Sequence, residues 1–168
     1  MSASRVFNRR SVFVAMIAVL AMVASSGCAK KTRPEEESVP NAANADVTSG
    51  DSDSGSAMGL ETIHFPYDAF ALGAEAKKVL KENASILKAN ENVKIQVEGH
   101  CDQRGGIQYN IALGEKRANV AKRYLVDHGI AASRISTISF GKEKPVDPSD
   151  TEAAYAKNRR DNFAITSK

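Results

Sequence analysis

The chain has 168 residues, of which 42% are hydrophobic and 26% charged, a balance that suits one ordinary domain with extensions. Its formal net charge of +3 and basic pI of about 8.9 point first to nucleic acid as a partner. Arg5, Arg9 and Arg10 account for that whole excess, however, and the chain beyond Gly27 is balanced, which removes most of the support for nucleic acid.

Those three arginines precede an apolar run, SVFVAMIAVLAMVA, from Ser11 to Ala24. The run is shorter than the ~20 residues that a permanent membrane helix needs. It ends in Ser25, Ser26 and Gly27, directly before Cys28. Residues 1–27 therefore read as an export signal, and Cys28 resembles the modified cysteine of a bacterial lipobox, although Ser25 stands where leucine is usual. Lipidation there would make a thioether to diacylglycerol and a palmitate-type amide, enough acyl chain for stable anchoring. Ala29 and Lys30 follow, without the aspartate that retains such proteins in the inner membrane. An outer-membrane anchor facing the periplasm is expected. Residues 28–58 are poor in large apolar side chains and rich in Ser, Gly, Asp, Glu, Asn and Pro. They are expected to form a disordered tether, and residues 59–168 the folded domain.

Within that domain, Glu61–Phe65 is a strand candidate stopped by Pro66. Helical spacing of Ala76, Val79, Leu80, Asn83, Ile86 and Leu87 predicts a helix over Gly73–Asn90. Val93–Gly99 alternates between apolar and polar residues and predicts a strand. The loop HCDQRGG follows, and then a long helix over Gln108–His128, ended by Gly129. Ile135–Gly141 is a third strand, Thr151–Lys157 one or two helical turns, and Arg159–Thr166 a fourth strand. The order is βαβαββ, an α+β fold with a mixed sheet and its helices on one face.

The densest polar cluster is the loop from His100 to Arg104. A Cys–His nucleophile pair is excluded there, because neighbours at a strand end point in opposite directions whereas a catalytic pair converges. His64, His100 and His128 lack metal-ligand spacing. Gly105-Gly106 lacks the rest of a phosphate-binding motif and reads as a helix-entry turn. Asn110, Leu113 and Arg117 share one face of the long helix, beginning just after the Asp102 loop. An aspartate and an arginine brought together in this way could hold a zwitterion; the plainer alternative is a turn cap and a solvated helix face. Both side chains are expected to be at least partly exposed.

VEGHCDQRGGIQYNIALGEKRANVAKRYL (Val97–Leu125), SFGKEKPV (Ser139–Val146) and EAAYAKNRR (Glu152–Arg160) resemble, in the same order, the signature of OmpA-like peptidoglycan-binding domains. The likeness is strongest to the peptidoglycan-associated lipoproteins among them, and it covers residues 61–166. It implies a βαβαββ fold that binds diaminopimelate in peptidoglycan stem peptides without a cofactor or catalysis. By motif position Asp102 would take the amino group and Arg117 the carboxylate, with Asn110 and Leu113 lining the groove and Arg160 and Asp68 contributing. The resemblance further implies a non-covalent link between outer membrane and cell wall, with TolB and other Tol proteins as partners in envelope integrity and cell division. Two positions depart from the pattern. Phe65-Pro66-Tyr67-Asp68 keeps only the second of two usual aspartates, and Cys101 replaces the usual alanine or threonine. Motor stator proteins share this domain type, but they carry a membrane helix with a functional acid, which this leader lacks. A wall hydrolase lacks support from paired carboxylates or zinc-ligand spacing.

Overall fold

The computed structural model describes residues 50–168. The export signal, Cys28 and the tether up to residue 49 lie outside the described residues. Seven elements follow in order: β1 (Ile63–His64), α1 (Ala74–Ala89), β2 (Lys94–His100), α2 (Ile107–Asp127), β3 (Ile135–Gly141), α3 (Glu152–Asn158) and β4 (Arg160–Ser167). A single 3₁₀ turn, Ala132–Arg134, leads into β3.

The four strands form one mixed sheet in the order β1-β4-β2-β3. β2 and β3 are parallel, joined across α2, whereas β4 inserts antiparallel between β2 and β1. Alternation decides which side is buried. Ile95 and Val97 of β2, with Phe163 and Ile165 of β4, join Leu80 and Leu87 of α1 and Ala118, Ala121 and Leu125 of α2 in one core. The α+β order and the helices on one face are therefore as the periodicity predicts. β1 starts later than expected because the N–H and carbonyl of Glu61 bond to the Asn83 side chain and not to a strand, and Pro66, without an N–H, ends it. Phe65 makes the last bond, its N–H donating to Arg159 O at 2.9 Å.

Polar side chains fasten the helices where backbone groups would otherwise be left alone. Asn83 is buried on α1 and exchanges two hydrogen bonds with the backbone of Glu61, at 2.9 and 2.8 Å. Arg134 donates to the carbonyls of Leu87 and Asn90, at 2.9 and 2.7 Å, and so closes the end of α1.

Residues 50–58, read from composition as tether, are docked along β4. Ser52 N–H donates to Phe163 O at 3.1 Å, Ile165 N–H to Gly50 O at 3.0 Å, and Asp51 bridges Ala164. Ala57 is completely buried in the core. Composition misses this docking because strand pairing and serine and aspartate side chains hold it, with little apolar burial.

A close backbone approach sets the position of α2. A Cβ on Gly99 would lie 2.0 Å from Gly114 O, and one on Gly114 would lie 2.3 Å from Ser139 Oγ. Glycines at both positions let the helix rest directly on the ends of β2 and β3. Gly99→Ala is expected to lose about 1–3 kcal/mol through overpacking, read as a lower urea midpoint with little change in slope.

Candidate functional site

The loop leaving β2 is pinned at its start by Cys101 N–H, which donates to Gly141 O at 2.7 Å. Gly105 takes a left-handed turn, φ +81°, that returns the chain to α2. Asn110 on the first turn of α2 donates to Arg104 O at 2.7 Å and Gly106 O at 3.1 Å, so its amide shapes the loop. Lys142 adds a bond to Gly105 O at 2.8 Å.

Between this loop, the 65–69 segment and α2 lies a cleft with about 320 Å³ of space. Asp68, Asp102, Asn110, Leu113 and Arg117, all singled out by sequence, line it together. Arg160 does not. Its guanidinium turns away to Asp53, with Nε 2.8 Å from Oδ2. Strand alternation sends the preceding residue, Arg159, to the cleft instead. Tyr67, Arg104 and Tyr109 also line it and were not foreseen. The repeated arginine in Asn158-Arg159-Arg160 was the available signal for Arg159, but choosing between the two arginines requires the register of β4.

The expected exposure of the central pair is wrong. Asp102 is 4% exposed and Arg117 is 0% exposed. Arg117 forms the floor of the cleft and spends its donors on backbone carbonyls: Nε to Ala69 O and Nη1 to His100 O, both at 2.8 Å, and Nη2 to Pro66 O at 3.3 Å. The Phe65 ring packs beneath it, 5.0 Å from the guanidinium carbon. Burial lowers the pKa of this guanidinium from its usual value. A two-pronged grip on a carboxylate is therefore not free at Arg117. Arg159 donates from Nε to Phe65 O and from Nη1 to Asp102 and Glu152, and among the described residues its Nη2 has no hydrogen-bond acceptor.

Asp102 is held from two sides. Arg104 reaches Oδ2 at 2.6 Å and Oδ1 at 3.3 Å, and Arg159 reaches Oδ2 at 3.1 Å. Burial works to raise the Asp102 carboxyl, but the bonds from Arg104 and Arg159 outweigh it and hold it below the usual value. Arg104 is shared with Glu152 at 3.1 Å and lies between the Tyr67 and Tyr155 rings, at 4.1 and 4.4 Å. Asp68 accepts a hydrogen bond from Tyr109 Oη at the cleft mouth.

Cys101 and His100 diverge. The Cys101 thiol donates to Asn110 O at 3.3 Å and burial pushes its pKa up to about 11, while His100 stacks on Phe140 at 5.5 Å. Asp161 is completely buried and neither carboxylate oxygen has a hydrogen-bond partner among the described residues. Burial pushes its carboxyl well above the usual value, and Arg117 and Arg160 pull the other way.

Residues 64–159 match the model of the OmpA family. The peptidoglycan-associated lipoprotein of Mesorhizobium japonicum is 40% identical over 151 residues, covering 86% of this chain and 87% of the relative. The Pseudomonas putida protein of the same name is 38% identical over 149 residues, covering 84% and 89%. Among solved structures, the peptidoglycan-associated lipoprotein of Burkholderia pseudomallei aligns with a TM-score of 0.60 at 34% identity, over 62% of this chain and 88% of that one. The C-terminal domain of Helicobacter pylori MotB shares the fold, with a TM-score of 0.61 at 21% identity, over 66% of this chain and 87% of that one.

Two outcomes follow from this burial. Arg117→Ala strands three carbonyls and is expected to lower stability by about 3 kcal/mol or more, since each buried group left unpaired costs about 1–3 kcal/mol. Lysine at that position should not restore it. For Asp161, a folded pKa above the unfolded one means the native state holds the extra proton, so the residue costs stability above about pH 4 and not below. Asp161→Asn is therefore expected to melt higher than the parent at about pH 7 and to lose that gain as the pH falls toward about 4. A loss at about pH 7 that shrinks on acidification would show Asp161 to be an ionised partner of Arg117.

Proposed function

The chain belongs to the OmpA family, among the peptidoglycan-associated lipoproteins, and on that premise we propose that its cleft binds the diaminopimelate of peptidoglycan stem peptides. The observation that carries the reading is the meeting of Asp102, Arg117 and Arg159 around one small, partly enclosed space. Diaminopimelate ends in a carbon bearing both an ammonium and a carboxylate. Asp102 accepts from the ammonium. The carboxylate lies over Arg117, whose charge stays at the cleft floor, and takes its direct hydrogen bonds from the free Nη2 of Arg159. Charged hydrogen bonds of this kind are worth about 1.5–3 kcal/mol each.

The arriving ammonium competes with Arg104, which covers Asp102 in the ligand-free chain. Glu152, already 3.1 Å from Arg104, offers the displaced guanidinium a second partner. Leu113 supplies the apolar wall for the methylene chain. Asn110 acts by holding the loop. Arg160, bonded to Asp53, serves the fold and not the ligand.

In the cell the reading is a non-covalent link. Cys28 carries the lipid that holds the chain to the outer membrane, the residues after it span part of the periplasm, and the domain grips the wall. Contact with TolB and other Tol proteins belongs to the same proposal, supported by the likeness to the peptidoglycan-associated lipoproteins. Membrane-fraction mass spectrometry is expected to show acyl additions on Cys28 and loss of residues 1–27.

Calorimetry with soluble stem peptides tests the cleft. Diaminopimelate stems are expected to bind more tightly than lysine stems, which lack the side-chain carboxylate. Asp102→Ala should weaken both kinds of stem, by about 10-fold or more. Arg159→Ala should weaken the diaminopimelate stem selectively. Equal affinity of parent and both variants for the diaminopimelate stem would sink the proposal.

A further inference from the structure

The cleft does not end at Tyr109. On its far side a second groove with about 370 Å³ of space is lined by Asp68, Phe70, Tyr109, Ala112, Leu113 and Lys116. The two share Asp68, Tyr109 and Leu113, so they are adjacent, with the Tyr109–Asp68 hydrogen bond as the ridge between them. Helix geometry explains the pairing. Asn110, Leu113 and Arg117 form one stripe of α2 and face the cleft. Tyr109, Ala112 and Lys116 form the adjacent stripe, one residue around the helix, and face the groove.

The groove has a chemistry of its own. Phe70 is 44% exposed and Tyr109 55% exposed, so both rings offer apolar surface to the groove. Ala112 leaves room between them. Lys116 is the cation of the lining, its Nζ 5.6 Å from the centre of the Phe70 ring, and among the described residues it has no carboxylate within ion-pair distance. Asp68 stands at the opposite end, with one oxygen accepting from Tyr109. A ligand suited to this lining is short, carries an aliphatic stem and has one carboxylate at the Lys116 end. Its peptide N–H groups face the Asp68 end.

We propose that this groove is a second subsite, which takes the carboxylate-bearing residue next to the diamino acid on the same peptide. The inference rests on the cleft reading above, because a groove adjacent to the cleft, one helix stripe away, is what selects a neighbouring residue of that ligand as the occupant. It adds a preference: the chain distinguishes stems whose glutamate keeps a free α-carboxylate from stems in which that group is an amide.

The experiment uses the full chain and three probes in calorimetry: free diaminopimelate, γ-D-glutamyl-diaminopimelate, and the α-amide of that dipeptide. The parent is expected to bind the acid about 2- to 5-fold more tightly than the amide, the range of an exposed ion pair. The gap should shrink in high salt. Lys116→Ala should abolish the gap and leave free diaminopimelate unaffected, while Lys116→Arg should preserve it. Phe70→Ala should weaken acid and amide alike but not free diaminopimelate. Equal binding of acid and amide by the parent overturns the subsite, and so does a gap that survives Lys116→Ala. Failure of free diaminopimelate to bind the parent overturns the cleft reading instead, and the subsite falls with it.

Discussion

Two stretches of backbone that are distant in sequence meet on one guanidinium. Arg117 takes Pro66 O and Ala69 O from the segment after β1 and His100 O from the end of β2. A fully buried cation is costly unless its donors are used, so these carbonyls and the charge stabilise one another or not at all. The cleft is a by-product of that arrangement. Its floor is the guanidinium, and its walls are the segments whose carbonyls the guanidinium holds. A residue that sequence motif suggests as a ligand contact is thus, in the first instance, the keystone of its own pocket.

The constraint extends inward and outward. Inward, α2 can deliver Arg117 to this depth only because Gly99 and Gly114 let helix and strand meet backbone to backbone. Outward, the cleft gathers three arginines, 104, 117 and 159, around the single buried carboxylate of Asp102, with Glu152 at the rim. Asp68, which also lines the cleft, and Glu152 balance the remaining two positive charges, and Arg104 already occupies Asp102.

What the sequence shows and what it hides divides along physical lines. The helices and central strands follow from apolar spacing, since burial dictates that spacing; Leu80 and Leu87, or Ile95 and Val97, need no further information. Asp102, Asn110, Leu113 and Arg117 come together because they are local, on one loop and the helix after it. Arg159 lies elsewhere in the chain, and its selection over Arg160 depends on how the chain enters β4 beside β1. Asp161 was invisible for a related reason: an aspartate completely buried beside an arginine contradicts composition-based expectation. The docked stretch 50–58 was missed because backbone pairing and short polar side chains, which carry no apolar periodicity, hold it.

That docked stretch gives the domain a mechanical property. A pull on the chain upstream of Gly50 reaches the sheet first through the short pairing of Gly50–Ser52 with β4. Peeling a few edge bonds one at a time takes far less force than shearing a whole strand. Detaching residues 50–58 frees roughly 30 Å of chain, at about 3.3–3.6 Å per residue, before tension arrives at β1 and the buried centre. The arrangement works as a slack reserve in series with the fold. Under such a pull the edge pairing is the first part of the fold to yield, before β1 and the Arg117 centre are disturbed.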